Sequence, residues 1–83
     1  MSHVPHELSE EFPEMVELMA RLRQSDVHFA KLSDSYHTLN RAIHRGESDI
    51  EPTSDAHMTD MRKQRMALKD EIYGYLKAQN ASA

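Results

Sequence analysis

The chain has no cysteine and no tryptophan, and only two glycines and three prolines among its 83 residues. Without cysteine there are no disulfides and no thiolate metal sites, which fits a reducing, cytoplasmic setting. Scarce glycine and proline leave long stretches without backbone breakers, as a helical chain requires. No apolar run approaches the length of a membrane span, and Met1 to Glu11 lack the basic start and apolar core of a signal peptide. A chain this short makes one small domain with a poor ratio of core to surface, so a partner commonly helps to hold it. The formal charge of −4 argues against general affinity for nucleic acid, but it is uneven: residues 1–17 carry five glutamates and no lysine or arginine.

What is present is a long apolar period. Met15, Leu18, Leu22, Ser25, Phe29, Leu32, Tyr36, Leu39 and Ile43 follow one another in alternating steps of three and four, and only Ser25 among them is polar. This spacing predicts one long helix with a narrow coiled-coil seam, running from residue 12 to 45. Pro13 suits its first turn, and Glu10, Glu11, Glu14 and Glu17 lie near the positive end of its dipole. Ser25-Asp26-Val27, three poor helix formers in a row, marks where a kink would fall. Arg41, His44 and Arg45 suit the C-terminal end, with Gly46 as the residue just past it.

Residues 46–54 read as a loop, since Pro52 disfavours helix at Glu51 and either Thr53 or Ser54 can cap a second helix. That helix is expected over residues 55–77, with the seam Met58, Met61, Arg65, Leu68, Ile72, Tyr75 and Leu76 beside it. Gly74 weakens its last turns by about 1 kcal/mol relative to alanine. Two helices joined by a short loop pack antiparallel. The seams then oppose Ile43 to Met58, Leu39 to Met61, Tyr36 to Arg65, Leu32 to Leu68, Phe29 to Ile72 and Ser25 to Tyr75. The expected fold is therefore all-α: an antiparallel, coiled-coil-like two-helix hairpin over 12–78, with a flexible acidic tail over 1–11 and a frayed end over 79–83.

That register leaves Met15, Leu18, Met19 and Leu22 beyond the end of the second helix. Burying each such side chain is worth about 1.5–3 kcal/mol, so the four together form a patch that calls for a cover. Self-association into a helical bundle, a dimer first, or docking on another protein follows as the expectation.

EFPE at Glu11–Glu14, HFAKLSDSYHTLNRAIHR at His28–Arg45 and LKDEIY at Leu68–Tyr73 resemble the small bacterial YdcH-like proteins. That family is described as a domain of unknown function. The resemblance covers roughly residues 11–77 and implies a short helical hairpin with no assigned activity. One departure is Ser33, where the resemblance leads one to expect a large apolar residue beside the seam.

Few residues carry chemistry. Six histidines invite a metal reading, but His37 and His44 lie two turns apart, about 10 Å between Cα atoms, which is too far for one ion. His3 and His6 fall in the tail, and His28 at the seam edge suits a hydrogen bond across the hairpin better than base catalysis. Asp70 and Glu71 point about 100° apart on a helix and make a poor acid–base pair. No metal, cofactor or catalytic group is assigned. Arg62, Lys63, Arg65 and Lys69 give the second helix a basic side of the kind that binds phosphate backbones, though Asp26, Asp34 and Asp60 offer carboxylates nearby. Met66 and Tyr73 lie away from the seam and mark a second contact face if both are exposed. The sequence thus favours a non-enzymatic protein-interaction module, with a nucleic-acid-associated regulator as the alternative.

Overall fold

The computed structural model describes residues 4–48 and 54–81, and every element among them is helical. In order they are α1 (Leu8–Glu11), a 3-10 turn (Pro13–Met15), α2 (Val16–Ser25), α3 (Val27–Glu47) and α4 (Asp55–Ala81). The all-α expectation holds for these residues. The single helix over 12–45 does not.

The break falls inside the weak triplet. Asp26 leaves helical geometry at φ −130° and ψ 106°. Its N–H still closes the last turn of α2 on the Leu22 carbonyl at 2.8 Å. Its carboxylate caps α3 by accepting from the Phe29 N–H at 3.1 Å. Ser25 points to solvent and its hydroxyl donates back to the Arg21 carbonyl at 2.9 Å, a local bond that competes with helix continuation. The chain therefore turns at a single residue, and α2 folds back along α3. Arg23 secures the return by donating to Ser33 Oγ at 2.7 Å and to Asp34 Oδ1 at 3.2 Å.

Helices α3 and α4 run antiparallel: Arg62 meets Glu47 at one end, and Tyr75 meets Asp26 at the other. One core cluster holds Ile43, Met58 and Met61 with Leu39 and Ala42 against it. The other gathers Phe29, Tyr36, Ile72 and Leu76, with Leu32, Leu68 and Tyr75 at its edge. Four of the expected seam pairs thus share a cluster. The pairing of Ser25 with Tyr75 is corrected, because the fold-back removes Ser25 from the seam and sets Asp26 in its place.

The buried stripe of α3 is also rotated from the expected one. It reads Phe29, Ser33, Tyr36, Asn40 and Ile43, while Leu32 and Leu39 remain half-buried. The cause is a third layer. The segment from Val4 to Ser25, here called the arm, lies across one side of the α3–α4 pair and inserts Leu8, Phe12, Met19 and Leu22 into the larger cluster. Ser33 and Asn40 face that layer and lose their solvent. The expected two-helix hairpin is accordingly replaced by four helical segments in which the first two cover the last two.

At the helix ends, Ser54 acts as expected, its hydroxyl accepting from the His57 N–H at 3.2 Å. Gly46 does not end α3, which continues to Glu47 and caps at Ser48. The last helix runs to Ala81, past the expected end at 77. Of the expected tail, residues 4–11 are ordered into a turn and α1, whereas residues 1–3 lie outside the described residues. The same holds for positions 49–53 of the loop, with Pro52 and Thr53, and for positions 82–83 of the C-terminus.

Gly74 sits on the exposed side of α4, and a Cβ built there meets nothing within 4 Å. Replacing it with alanine restrains the unfolded chain at no steric cost, so Gly74→Ala should stabilise the protein by about 0.5–1 kcal/mol in a thermal or denaturant melt. Phe12 is 5% exposed and stacks on Tyr73 at 5.6 Å between ring centroids. Phe12→Ala should cost about 3–5 kcal/mol in the same assay, which a flexible tail would not.

Candidate interaction surfaces

The four residues expected to await a partner have one within the chain. Met19 and Leu22 are 7% and 8% exposed, and Met15 and Leu18 pack half-buried against the same cluster. Only a straight helix would leave that patch uncovered. Once α2 folds back at Asp26, its apolar face meets α3 and α4.

The acidic start of the chain holds the arm down by polar contacts. His6 adopts φ 65°, a left-handed conformation uncommon outside glycine, and the turn it makes presents two carbonyls to α3. Tyr36 donates its hydroxyl to the His6 carbonyl at 2.6 Å, and Asn40 Nδ2 donates to the Pro5 carbonyl at 2.9 Å. Glu7 accepts weakly from the same Asn40 nitrogen at 3.3 Å. Its other oxygen lies 3.0 Å from His37 Nδ1, which is buried but not aligned for a hydrogen bond. Glu11 forms an ion pair with Lys69 at 2.8 Å and lies 3.5 Å from His6. The Lys69 hydrogen bond holds the Glu11 carboxyl below the ordinary carboxylate range, with burial opposing it. Sequence reasoning missed this clasp because nothing periodic announces it; the residues that form it are single polar groups brought together by the fold-back.

The basic side of α4 is largely engaged within the chain. Arg62 binds Glu47 through two nitrogens at 2.8 and 3.1 Å. Arg65, half-buried, donates to Asn40 Oδ1 at 3.1 Å, and Lys69 is tied to Glu11. Lys63 is exposed. Arg65 does line a groove with Tyr36, as the seam register suggested, together with His6, Glu11, Arg62, Met66 and Lys69. This groove is shallow, about 220 Å³, and its cations already have partners in the chain: carboxylates for Arg62 and Lys69, the Asn40 amide for Arg65. Among the described residues no three His, Asp or Glu side chains converge in the manner of a metal site. His28 is exposed and tilts its ring against Tyr75 at 5.3 Å, with no hydrogen bond across α3 and α4.

Among the described residues Val16 and Val27 are exposed singly, and apolar surface also stays open on α4 and on α3. Met66 is 66% exposed and Tyr73 42%, as their position away from the seam suggested, although Tyr73 also carries Phe12 on its ring and Lys77 Nζ at 5.4 Å from its centroid. The second surface is on α3, displaced from the arm. Asp34, Ser35, Thr38, Leu39 and Ala42 line a shallow, mostly apolar groove there. Leu39 in the groove, and Leu32 two turns before it on α3, are half-buried because the arm rotated the buried stripe away from them.

A family model described as "Protein of unknown function (DUF465)" matches residues 29–76, which begins in the first turn of α3 and ends within α4. The chain belongs to the DUF465 family. The uncharacterised protein YdcH of Escherichia coli strain K12 is 32% identical over 69 residues, covering 83% of this chain and 93% of that protein. YdcH of Shigella flexneri is similar to the same extent. No solved structure matches. Within this DUF465 chain no helix among the described residues is long and apolar enough to cross a membrane.

Burial raises the Tyr36 hydroxyl from 10.0 to about 12, with the Glu11 charge adding to it. The bond to Asp26 raises Tyr75 as well. A phenol whose folded pKa lies above its unfolded value supports the fold below the unfolded pKa and withdraws that support as pH rises through the folded one. The protein should therefore lose stability as pH climbs from 10.0 towards about 12, and Tyr36→Phe should flatten part of that loss while lowering stability at pH 8 by about 1 kcal/mol. Chemical denaturation across that range checks both.

Proposed function

We propose that the protein is a non-enzymatic interaction module whose docking face is the open groove of α3, and that the occupant is a second copy of this chain. The observation that carries the reading is the order of residues along this face of α3: Leu32 just before the groove, then Ser35, Leu39 and Ala42 lining it, spaced three, four and three apart. Large and small alternate. In a twofold interface the same surface serves both partners, so residue i meets j and j meets i. Laid antiparallel on its own copy, α3 sets Leu32 against Ala42 and Leu39 against Ser35, a large side chain into a small one at each contact. Close helix approach of this kind covers the two leucines that the arm leaves half-exposed.

This moves the expected contact from Met15, Leu18, Met19 and Leu22 to the other side of α3. The reason for expecting association survives the move. A small domain gains much from covering a remaining apolar edge. A regulator that binds nucleic acid through Arg62, Lys63, Arg65 and Lys69 has less behind it, since three of those cations would have to leave their partners in the chain.

Light scattering and sedimentation over a wide concentration range test the reading. The wild type should dimerise, and Ser35→Glu, which alters an exposed residue, should weaken the dimer at least ~10-fold, about 1.4 kcal/mol, with helicity unchanged. A wild type that stays monomeric at every concentration overturns it. Duplex binding that falls steeply with salt and disappears on charge reversal at Arg62 and Lys63 would put the nucleic-acid regulator in its place.

A further inference from the structure

The arm is joined to the rest of the molecule by one residue. Asp26 alone is non-helical between α2 and α3, and its side chain is what keeps the joint closed: one oxygen accepts from the Phe29 N–H and the other from the Tyr75 hydroxyl. Both are hydrogen bonds at the surface-facing end of the core, and both are lost together if Asp26 turns away.

The sequence on either side of the joint is phased for a different arrangement. Met15, Leu18 and Leu22 stand at the same three-and-four spacing as Phe29, Leu32 and Tyr36, counted straight through Ser25. In the folded-back form nothing requires that phase, because α2 and α3 pack side by side and each could present its apolar face independently. Continuity of the stripe matters only when α2 and α3 are one rod. Such a rod over residues 16–47 is about 48 Å long. It carries Met15 and Met19 beyond the end of α4 of their own chain and leaves Leu22 opposite only its small and polar last turn, because α4 passes Asp26 at Tyr75 and ends six residues later. The arm of a straightened chain can then find its apolar seat only on another molecule. The seat itself is complete without the arm's covalent attachment: Phe29, Tyr36, Ile72 and Leu76 from α3 and α4 receive Leu8, Phe12, Met19 and Leu22, and Asn40, Tyr36 and Lys69 clasp the first residues.

We propose that residues 4–25 are an exchangeable arm: Asp26 becomes helical, α2 and α3 join, and the arm of each copy seats on the α3–α4 pair of a second copy. The closed monomer and the exchanged dimer make the same contacts in the seat and differ at the joint. Asp26 therefore sets the balance between them, as hinge residues do in exchanged dimers. The proposal stands on different residues from the α3 groove and holds whether or not that groove is occupied.

The test uses the full chain carrying Ser35→Glu, so that association through the α3 groove does not contribute. Asp26→Ala removes both hydrogen bonds at the joint and supplies a strong helix former. It should lower the dimer dissociation constant at least tenfold relative to its parent. Where the arm sits is read separately. The chain has no native cysteine, and Val16 is exposed and lines the same groove as Ser33 and His37. A nitroxide is attached at Val16→Cys on one batch, a second batch is labelled with nitrogen-15 alone, and the two are unfolded, mixed and refolded. Exchange predicts broadening of the Ser33 to His37 amides of the isotope-labelled copy by the nitroxide of the other. Should Asp26→Ala fail to fold, Tyr75→Phe removes only the second bond and should move the balance in the same direction by less. Monomers throughout for the folded variants, or a dimer without intermolecular broadening at those amides, would overturn the proposal.

Discussion

The carboxylate of Asp26 is the constraint on which the rest of this structure depends. A long apolar period arrives at it from the N-terminal side and leaves it on the other with its phase intact. Local chemistry overrules the period. An aspartate that can cap the next helix, placed after a serine that bonds back to its own helix and before a β-branched valine, gives the backbone a better option than continuing. Tyr75 then reaches the same carboxylate from the far end of α4, so one side chain ties together the ends of three helices. That bond, more than the amide of Phe29, holds the Asp26 carboxyl below its ordinary range, so the charged form is what the closed joint favours.

Much of the α3–α4 pair was legible in the residues. The spacing from Phe29 to Ile43 and from Met58 to Leu76 identifies both faces, and size matching between them assigns most neighbours correctly. What escaped was the arm. Periodicity reports which residues share a side of a helix, and it is blind to whether that helix stops and doubles back. The same blindness left Met15, Leu18, Met19 and Leu22 looking uncovered and gave no sign that Ser33 and Asn40 would be buried. Ser25-Asp26-Val27 held the one available signal, a run of poor helix formers with a capping residue at its centre. It located the break without revealing its angle. The polar clasp had no sequence signature at all, since Glu7 with Glu11, Tyr36 with Asn40, and Lys69 come from three distant stretches of the chain and are ordinary taken singly.

The fold-back also redistributes what the surface can do. It consumes the hydrophobic overhang and draws Glu7 and Glu11 from a loose acidic tail into contact with His37 and Lys69. Arg62 and Arg65 are likewise engaged within the chain, by Glu47 at the surface and by Asn40. What remains outside among the described residues is the shallow groove on α3, Met66 with Tyr73 on α4, and Val16 and Val27 singly. A molecule arranged this way presents shallow open surfaces in preference to enclosed cavities, and the charges of its clasp keep its own layers together.

Asn40 gives the packing a fixed alignment. Helices with repeating apolar faces can slide past one another by a turn and bury nearly the same surface, so hydrophobic contact alone leaves several near-equal arrangements. Asn40 is 1% exposed, and its amide is satisfied at both ends: the nitrogen by Pro5 and Glu7 of the arm, the oxygen by Arg65 of α4. A slip of either neighbour strands half of that amide away from water, at a cost of roughly 1–3 kcal/mol. One side chain thus works as a tooth engaging two racks at once. With a leucine in its place the same three layers would stick as firmly, but they would no longer know where to stop.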